Sequence, residues 1–368
     1  MAADDPAAKG SVKIVATGVS HRASVVIVSG SMGSGHDQVA AELSRRLAAL
    51  GIRSAVIDIL HCLRPGLGAA LRSGYHATAT FAPWLLNLGF QSTQPDQAAS
   101  SDLLARWAQP ALRRRLGGSA VAVSVHPFAT QALGALKSSG GYPGHTLSYL
   151  TDPAPHTMWL HPSVDHHLTV TEQTARVAAD TYHVDVVCGG PLAAPRFREP
   201  VPATERSRLR RELGADDSAV LALLMSGAHG LGQAGRSAIA VRAAGLHPVV
   251  VCGRNEALRA RMARRNIAAL GWRDDVHRLM AAADILVHNA GGLTLTEALV
   301  AGLPALTFLP VAGHGVANAR FLDEHGIAPW ARSVADLAHH GRILAKQRRL
   351  PLPAATETMA GFVASLCA

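Results

Sequence analysis

The sequence predicts an α/β protein of two doubly wound parallel sheets facing one another across a cleft. Three observations carry that prediction. Strand-like and helix-like stretches alternate along the chain, the order that parallel sheets covered by helices require. The 368 residues exceed what one hydrophobic core serves, whereas two lobes of about 150 to 200 residues each bury one comfortably. The pattern also starts afresh after a proline-rich break, Gly189-Gly190-Pro191 through Pro202, where Pro191, Pro195 and Pro200 precede a charged helix, which reads as a linker.

In the first lobe, residues 1–195, Ser24 to Ser29 reads as a buried strand and Gly30 to Gly35 as a tight loop. His36 to Leu50 follows as a helix with Val39, Leu43, Leu47 and Leu50 on one face, and Ser54 to Leu60 completes a βαβ unit. Further strands are expected at Ala120 to Val125, Thr146 to Leu150, His167 to Thr171 and Val184 to Val187. The second lobe, residues 196–350, has strands at Val220 to Met225, Pro248 to Cys252, Ile285 to His288 and Ala305 to Leu309. The segment 351–368 carries Met359, Phe362, Val363 and Leu366 as a single apolar stripe, a helix needing a surface to pack on; the first lobe is the candidate.

Composition narrows the function classes. The chain is 48% apolar and 17% charged, as in soluble globular proteins. Cys62, Cys188, Cys252 and Cys367 form no C-x-x-C pair, so neither a disulfide framework nor a cysteine zinc site is expected, and a reducing cytoplasm fits. The polar start, Met1 to Gly10, and the lack of any run of about 18 apolar residues predict no secretion signal and no spanning helix. A net charge of +9 admits nucleic acid, an anionic membrane surface or anionic small substrates. Arginine clusters such as Arg113-Arg114-Arg115 and Arg206 to Arg211 sit on helix-like segments without interleaved aromatics, which argues against nucleic acid.

Open α/β sheets bind ligands at the carboxyl ends of their strands, so the loops there matter most. Ser29 to His36 (SGSMGSGH) joins a strand to a helix, where backbone N–H groups favour an anion; it is neither G-x-G-x-x-G nor a Walker loop. Asp58, ending the next strand, could imitate a ribose-binding acid and keeps a dinucleotide site open. His36 reads either as a surface residue of a first helical turn or as a base at the cleft mouth, with Asp37 or Asp152 to orient it. In the second lobe, Ser226 to Gly232 (SGAHGLG) and Asn289 to Thr294 (NAGGLT) could both hold phosphate oxygens. Glu297, one turn into the following helix, would then lie near an attached ribose. No D-x-D motif occurs, so helix dipoles rather than a metal would stabilise a diphosphate. The loop Thr151 to Asp165 is rich in His and Trp, but its His156 and His161 have no zinc spacing; turn-fixing by Asp152 and the prolines is the alternative. Tyr75 to Phe90, with Phe81 and Trp84 around Pro83, suits core packing and a membrane- or lipid-facing surface equally.

Taken in order, these residues resemble the monogalactosyldiacylglycerol synthases and processive diacylglycerol glucosyltransferases, relatives of the lipid II N-acetylglucosaminyltransferase. The resemblance spans about Ser24 to Trp330. It rests on S-G-S-x-G-S-G-H (Ser29 to His36), A-P-W-L (Ala82 to Leu85), T-D-x-x-x-H-x-x-W-x-H-P-x-V-D (Thr151 to Asp165), C-G-R-N (Cys252 to Asn255), G-G-L-T-L-T-E-A-L (Gly291 to Leu299) and A-G-L-P (Ala301 to Pro304).

The resemblance implies a GT-B fold and an inverting mechanism without cofactor or obligatory metal, with a UDP-sugar donor in the second lobe and a lipid acceptor in the first. It makes His36 the base, with Asp152 beside it, and Glu297 the holder of the donor ribose. Gly35, Ser226, Gly227, His229, Gly230, Gly291, Gly292, Leu293 and Thr294 fall among donor contacts, as do Arg254, His314 and Asn318, and Trp272 falls where uracil is met. Trp84, His156 and Trp159 fall on the acceptor side. Where the family carries G-Q-E and then Asn, this chain has Gly313-His314-Gly315 and keeps only Asn318, so the sugar hydroxyls would meet other partners. The expectation is a cytoplasmic transferase held peripherally on the inner, anionic face of the plasma membrane. A UDP-sugar 2-epimerase and a non-catalytic nucleotide-sugar or lipid-binding protein stand as alternatives.

Overall fold

The computed structural model describes residues 24–81, 98–216, 218–225 and 233–367. The first sheet contains β1 (Val25–Ser29), β2 (Ser54–Asp58), β3 (Val121–Ser124), β4 (His145–Leu150), β5 (His166–Thr169) and β6 (Val186–Cys188). All its strands are parallel, in the order β2-β1-β3-β4-β5-β6. Helices α1 (Ser34–Ala49), α2 (Leu67–Phe81), α3 (Ala98–Leu116), α4 (Pro127–Ser138) and α5 (Glu172–Tyr182) connect them. The strands read as unbroken apolar runs because both faces are covered: Val25, Ile27 and Val123 pack under α1, and Val26, Val28 and Ala122 under α3 and α4.

Beyond α6 (Ala203–Glu212) the second sheet contains β7 (Leu221–Met225), β8 (His247–Val251), β9 (Ala268–Leu270), β10 (Ile285–His288), β11 (Ala305–Phe308) and β12 (Trp330–Ala331). It too is parallel, ordered β12-β11-β10-β7-β8-β9. Its helices are α7 (Ala234–Ala243), α8 (Glu256–Ala263), α9 (Val276–Ala282), α10 (Gly292–Val300), α11 (His314–Glu324) and α12 (Val334–Leu344). The last helix, α13 (Met359–Ser365), packs on the first lobe, where Met359 and Val363 are fully buried with Val25, Leu43 and Tyr149.

The strand order places the ligand crevices. In the first sheet the chain turns outward in opposite directions from β1 and β3, so the switch point lies between their carboxyl ends; in the second it lies between β7 and β10. The two crevices face one another. Gly35 on α1 is close enough to α10 that a β-carbon there would sit 3.6 Å from Leu293 Cβ, and one on Gly292 would sit 2.3 Å from the Thr151 carbonyl oxygen. The structure is therefore closed, with the N-termini of α1 and α10 on opposite walls of one cleft.

Candidate active site

His36 occupies the first turn of α1, and its ring bridges the first switch point. Its Nδ1 lies 2.7 Å from the carbonyl oxygen of Val125, just past β3. A carbonyl can only accept, so Nδ1 carries the hydrogen and Nε2 keeps a free lone pair. Burial lowers the His36 pKa below its usual 6.5, and the His314 charge adds to this; the Asp152 and Asp37 carboxylates and the Val125 carbonyl oppose it. The ring is thus held neutral while its protonated form has negative groups at hand.

Neither carboxylate expected to orient His36 does so through a hydrogen bond. Asp37 accepts from the hydroxyls of Ser29 (2.6 Å) and Ser31 (3.1 Å) and fixes the glycine loop. Asp152 accepts from Trp159 Nε1 (2.8 Å), His156 Nε2 (3.4 Å) and Asn318 Nδ2 (3.0 Å). Burial opposes ionisation of Asp152, but the His156 hydrogen bond, the His314 and His156 charges and the Trp159 indole hold its carboxyl well below the usual range. Asp152 acts on His36 through charge, and the Val125 carbonyl sets the ring's orientation.

Three further residues named from sequence are buried and hydrogen-bonded within the protein. Asn318, expected at the donor, is fully buried; it donates to Asp152 Oδ1 and to the Ala290 carbonyl (3.1 Å) and accepts from the Ala154 N–H (3.1 Å). Its amide is committed to tying the lobes together. Trp159, expected at the acceptor, has no exposed surface, and its ring lies 6.1 Å from that of His36. Asp58, the conceivable ribose acid, is also fully buried: it caps the turn after β2 through the Leu60 N–H (2.9 Å) and pairs with Arg72 (3.1 Å), which removes the basis for a dinucleotide site.

His126 is the residue that sequence reasoning missed. It lies two residues past β3, its ring meets His36 edge-on at 4.7 Å, and its Nδ1 accepts the Phe128 N–H at the start of α4 (3.2 Å). Burial pushes its pKa well below 6.5. A β-carbon on Gly30 would lie 2.5 Å from the His126 ring, so glycine at that position lets the loop close over it. A histidine between a strand end and a proline was the available signal.

On the second wall, α10 starts at Gly292 after Ala290, whose backbone is left-handed at φ 65°. Its N–H on His288 Nδ1 (3.1 Å) and its carbonyl on Asn318 hold that conformation. Leu293 packs against the first-lobe core. Glu297 is buried one turn on, and burial raises its carboxyl to about 8, with Arg196 opposing; Gly291 and Thr294 lie at the same helix start. His314 begins α11 and acts electrostatically on His36, His126 and Asp152. Arg254 lies 5.0 Å over the half-exposed Trp272 ring, whose Nε1 donates to Asp274 (3.0 Å). Trp84, Ser226, Gly227, His229 and Gly230 lie outside the described residues.

Two parallel six-stranded sheets joined at a closed cleft define the GT-B class of fold. Solved structures agree: MurG of Acinetobacter baumannii superposes with a TM-score of 0.54 at 16% identity, covering 93% of this chain and 98% of that one. Arabidopsis thaliana UGT89C1 complexed with UDP gives 0.56 at 13% identity, covering 94% and 99%. Within that class the particular resemblance is to the monogalactosyldiacylglycerol (MGDG) synthase family, whose sequence profile matches residues 36–183 and bears out the likeness read from the motifs. Among individual proteins, the processive diacylglycerol beta-glucosyltransferase of Bacillus pumilus is 28% identical over 193 residues, 50% of each chain. The protein of the same description from Bacillus cytotoxicus is 25% identical over 342 residues, 88% of this chain and 86% of its own. The first of these matches thus spans about half the length of the relative.

Proposed function

We propose that the protein is an inverting glycosyltransferase that moves a hexose or N-acetylhexosamine from a UDP-sugar to the hydroxyl of a diacylglycerol-like lipid. No obligatory metal enters the reaction. The observation that carries this reading is the 2.7 Å contact of His36 Nδ1 with the Val125 carbonyl, which fixes one tautomer and frees Nε2 as proton acceptor. In the transfer, Nε2 takes the acceptor's hydroxyl proton as that oxygen bonds to the anomeric carbon. The bond from the anomeric carbon to the UDP oxygen breaks on the opposite face, so the configuration inverts. Negative charge then grows on the departing diphosphate, where the N-terminus of α10 contributes up to about 2 kcal/mol. Glu297 would hold the ribose, Trp272 the base, and His314 the sugar side of the donor in place of the family's Gln-Glu pair.

The names of the relatives support transfer of a hexose to a diacylglycerol acceptor. Among the described residues no helix is long and apolar enough to cross a membrane, and the net charge of +9 suits peripheral residence on the anionic inner face of the plasma membrane. His36→Ala tests the mechanism. Loss of a positioned base is expected to lower kcat by about 10²- to 10⁴-fold while UDP affinity, measured by calorimetry, persists. The wild-type rate should fall on acidification with an apparent pKa below 6.5, because the base must be unprotonated and burial lowers its pKa. An unchanged kcat in the variant would remove His36 from this role.

A further inference from the structure

Apart from the cleft, the first lobe has a cavity of about 400 Å³ at the β2 edge of its sheet. Local sequence builds it. The turn Arg64-Pro65-Gly66 needs a left-handed residue, supplied by Gly66 at φ 81°. Gly68 then lets α2 rest on the Leu60 carbonyl, where a β-carbon would lie only 2.3 Å away. The walls combine apolar Leu60, Leu63 and Pro65 with His61, Arg64, Arg72 and Arg115, and no lining residue is acidic.

The charges around this cavity do not balance. Asp58, behind the wall, pairs with Arg72 Nη2 at 3.1 Å but also accepts the Leu60 N–H, so it answers one guanidinium. Arg72 Nε is buried with no hydrogen-bond partner among the described residues. Arg64 lies 5.0 Å over the Trp107 ring, and among the described residues no carboxylate pairs with Arg64 or Arg115. Three lining arginines and one carboxylate leave two positive charges at the wall of a concave space, which favours an anion. A buried N–H without an acceptor is costly, and phosphate oxygens match the planar donor fork of arginine.

We propose that this cavity binds a phosphate ester, with Arg64, Arg72 and Arg115 as its ligands. The ester can arrive free in solution or as the headgroup of a phospholipid. The second source has a structural counterpart in Leu103 and Trp107 of α3, which are 49% and 38% exposed beside Arg64 and could lie along acyl chains. The site is separate from the transfer reaction and stands whether or not that reading holds, because its test reads binding alone.

The experiment uses the full chain at low ionic strength. Calorimetry with sn-glycerol 3-phosphate probes the soluble source, and flotation with phosphatidylglycerol vesicles probes the lipid. Arg115→Gln and Arg64→Gln leave the Asp58–Arg72 pair intact, and either serves if the other fails to fold by circular dichroism. Arg348→Gln removes an exposed charge remote from the cavity. Binding in at least one arm is expected, weakened about tenfold or more by the cavity variants, each removing a charge-assisted contact, and unaltered by Arg348→Gln. Calorimetric binding alone assigns a soluble ester, and vesicle binding lost in the cavity variants assigns the phospholipid. No binding in either arm, or equal weakening by Arg348→Gln, overturns the proposal.

Discussion

At the scale of single residues, the site depends on which polar groups are satisfied and which are left available. His36 has one ring nitrogen committed to a backbone carbonyl. Asp152 accepts from three donors, one on Oδ1 and two on Oδ2. Glu297 is left in a dry place with its carboxyl raised to about 8, and its protonation has a stability consequence of definite sign. The unfolded chain loses this proton near 4.5 and the folded protein near 8, so the residue removes stability as pH rises from about 4.5 to about 8. Glu297→Gln has no proton to lose. Scanning calorimetry should show the variant melting above the wild type at pH 8 and together with it at pH 4, while its affinity for UDP falls. Equal melting at both pH values would mean that the carboxyl is not buried as described. Little of this was legible in sequence. The motif gave His36 and Glu297, but the Val125 carbonyl is 89 residues from His36 and Asn318 is 166 from Asp152, and local spacing does not report which amide finds which carboxylate.

Among the elements, legibility followed burial. The central strands β1, β3, β7 and β10 are apolar runs covered on both faces, and their expected limits agree with the structure to within a residue or so. The edge strands β9 and β12, of three and two residues, are too short to show a period, and sequence reasoning missed both. The Ser54 to Leu60 strand was read too long because Asp58 caps a tight 3₁₀ turn from Ile59 to Cys62, a turn still apolar in composition. The helix α10 adds a close approach that propensity alone would misjudge. Alanine is a better helix former than glycine by about 1 kcal/mol, yet at Gly292 its β-carbon would lie 2.3 Å from the Thr151 carbonyl. Gly292→Ala is therefore expected to push the lobes apart, raising the radius of gyration in small-angle scattering. An unchanged radius would contradict the closed contact.

For the whole molecule, the two sheets bring two helix N-termini to opposite walls of one cleft, and Asn318 locks that arrangement by joining Ala290 of the second lobe to Asp152 and Ala154 of the first. In the proposed reaction, His36 on α1 and the start of α10 would act together only when the lobes are closed, and α13 packs on the first lobe. The central claim is transfer: a sugar leaves UDP only when an acceptor hydroxyl receives it beside His36. The most direct measurement is UDP release from a panel of UDP-sugars, with and without diacylglycerol in mixed micelles, with mass spectrometry of the lipid fraction. The account predicts release that requires the lipid and yields a glycosylated diacylglycerol. Conversion of a UDP-sugar without lipid, or UDP binding with no release under either condition, would contradict it.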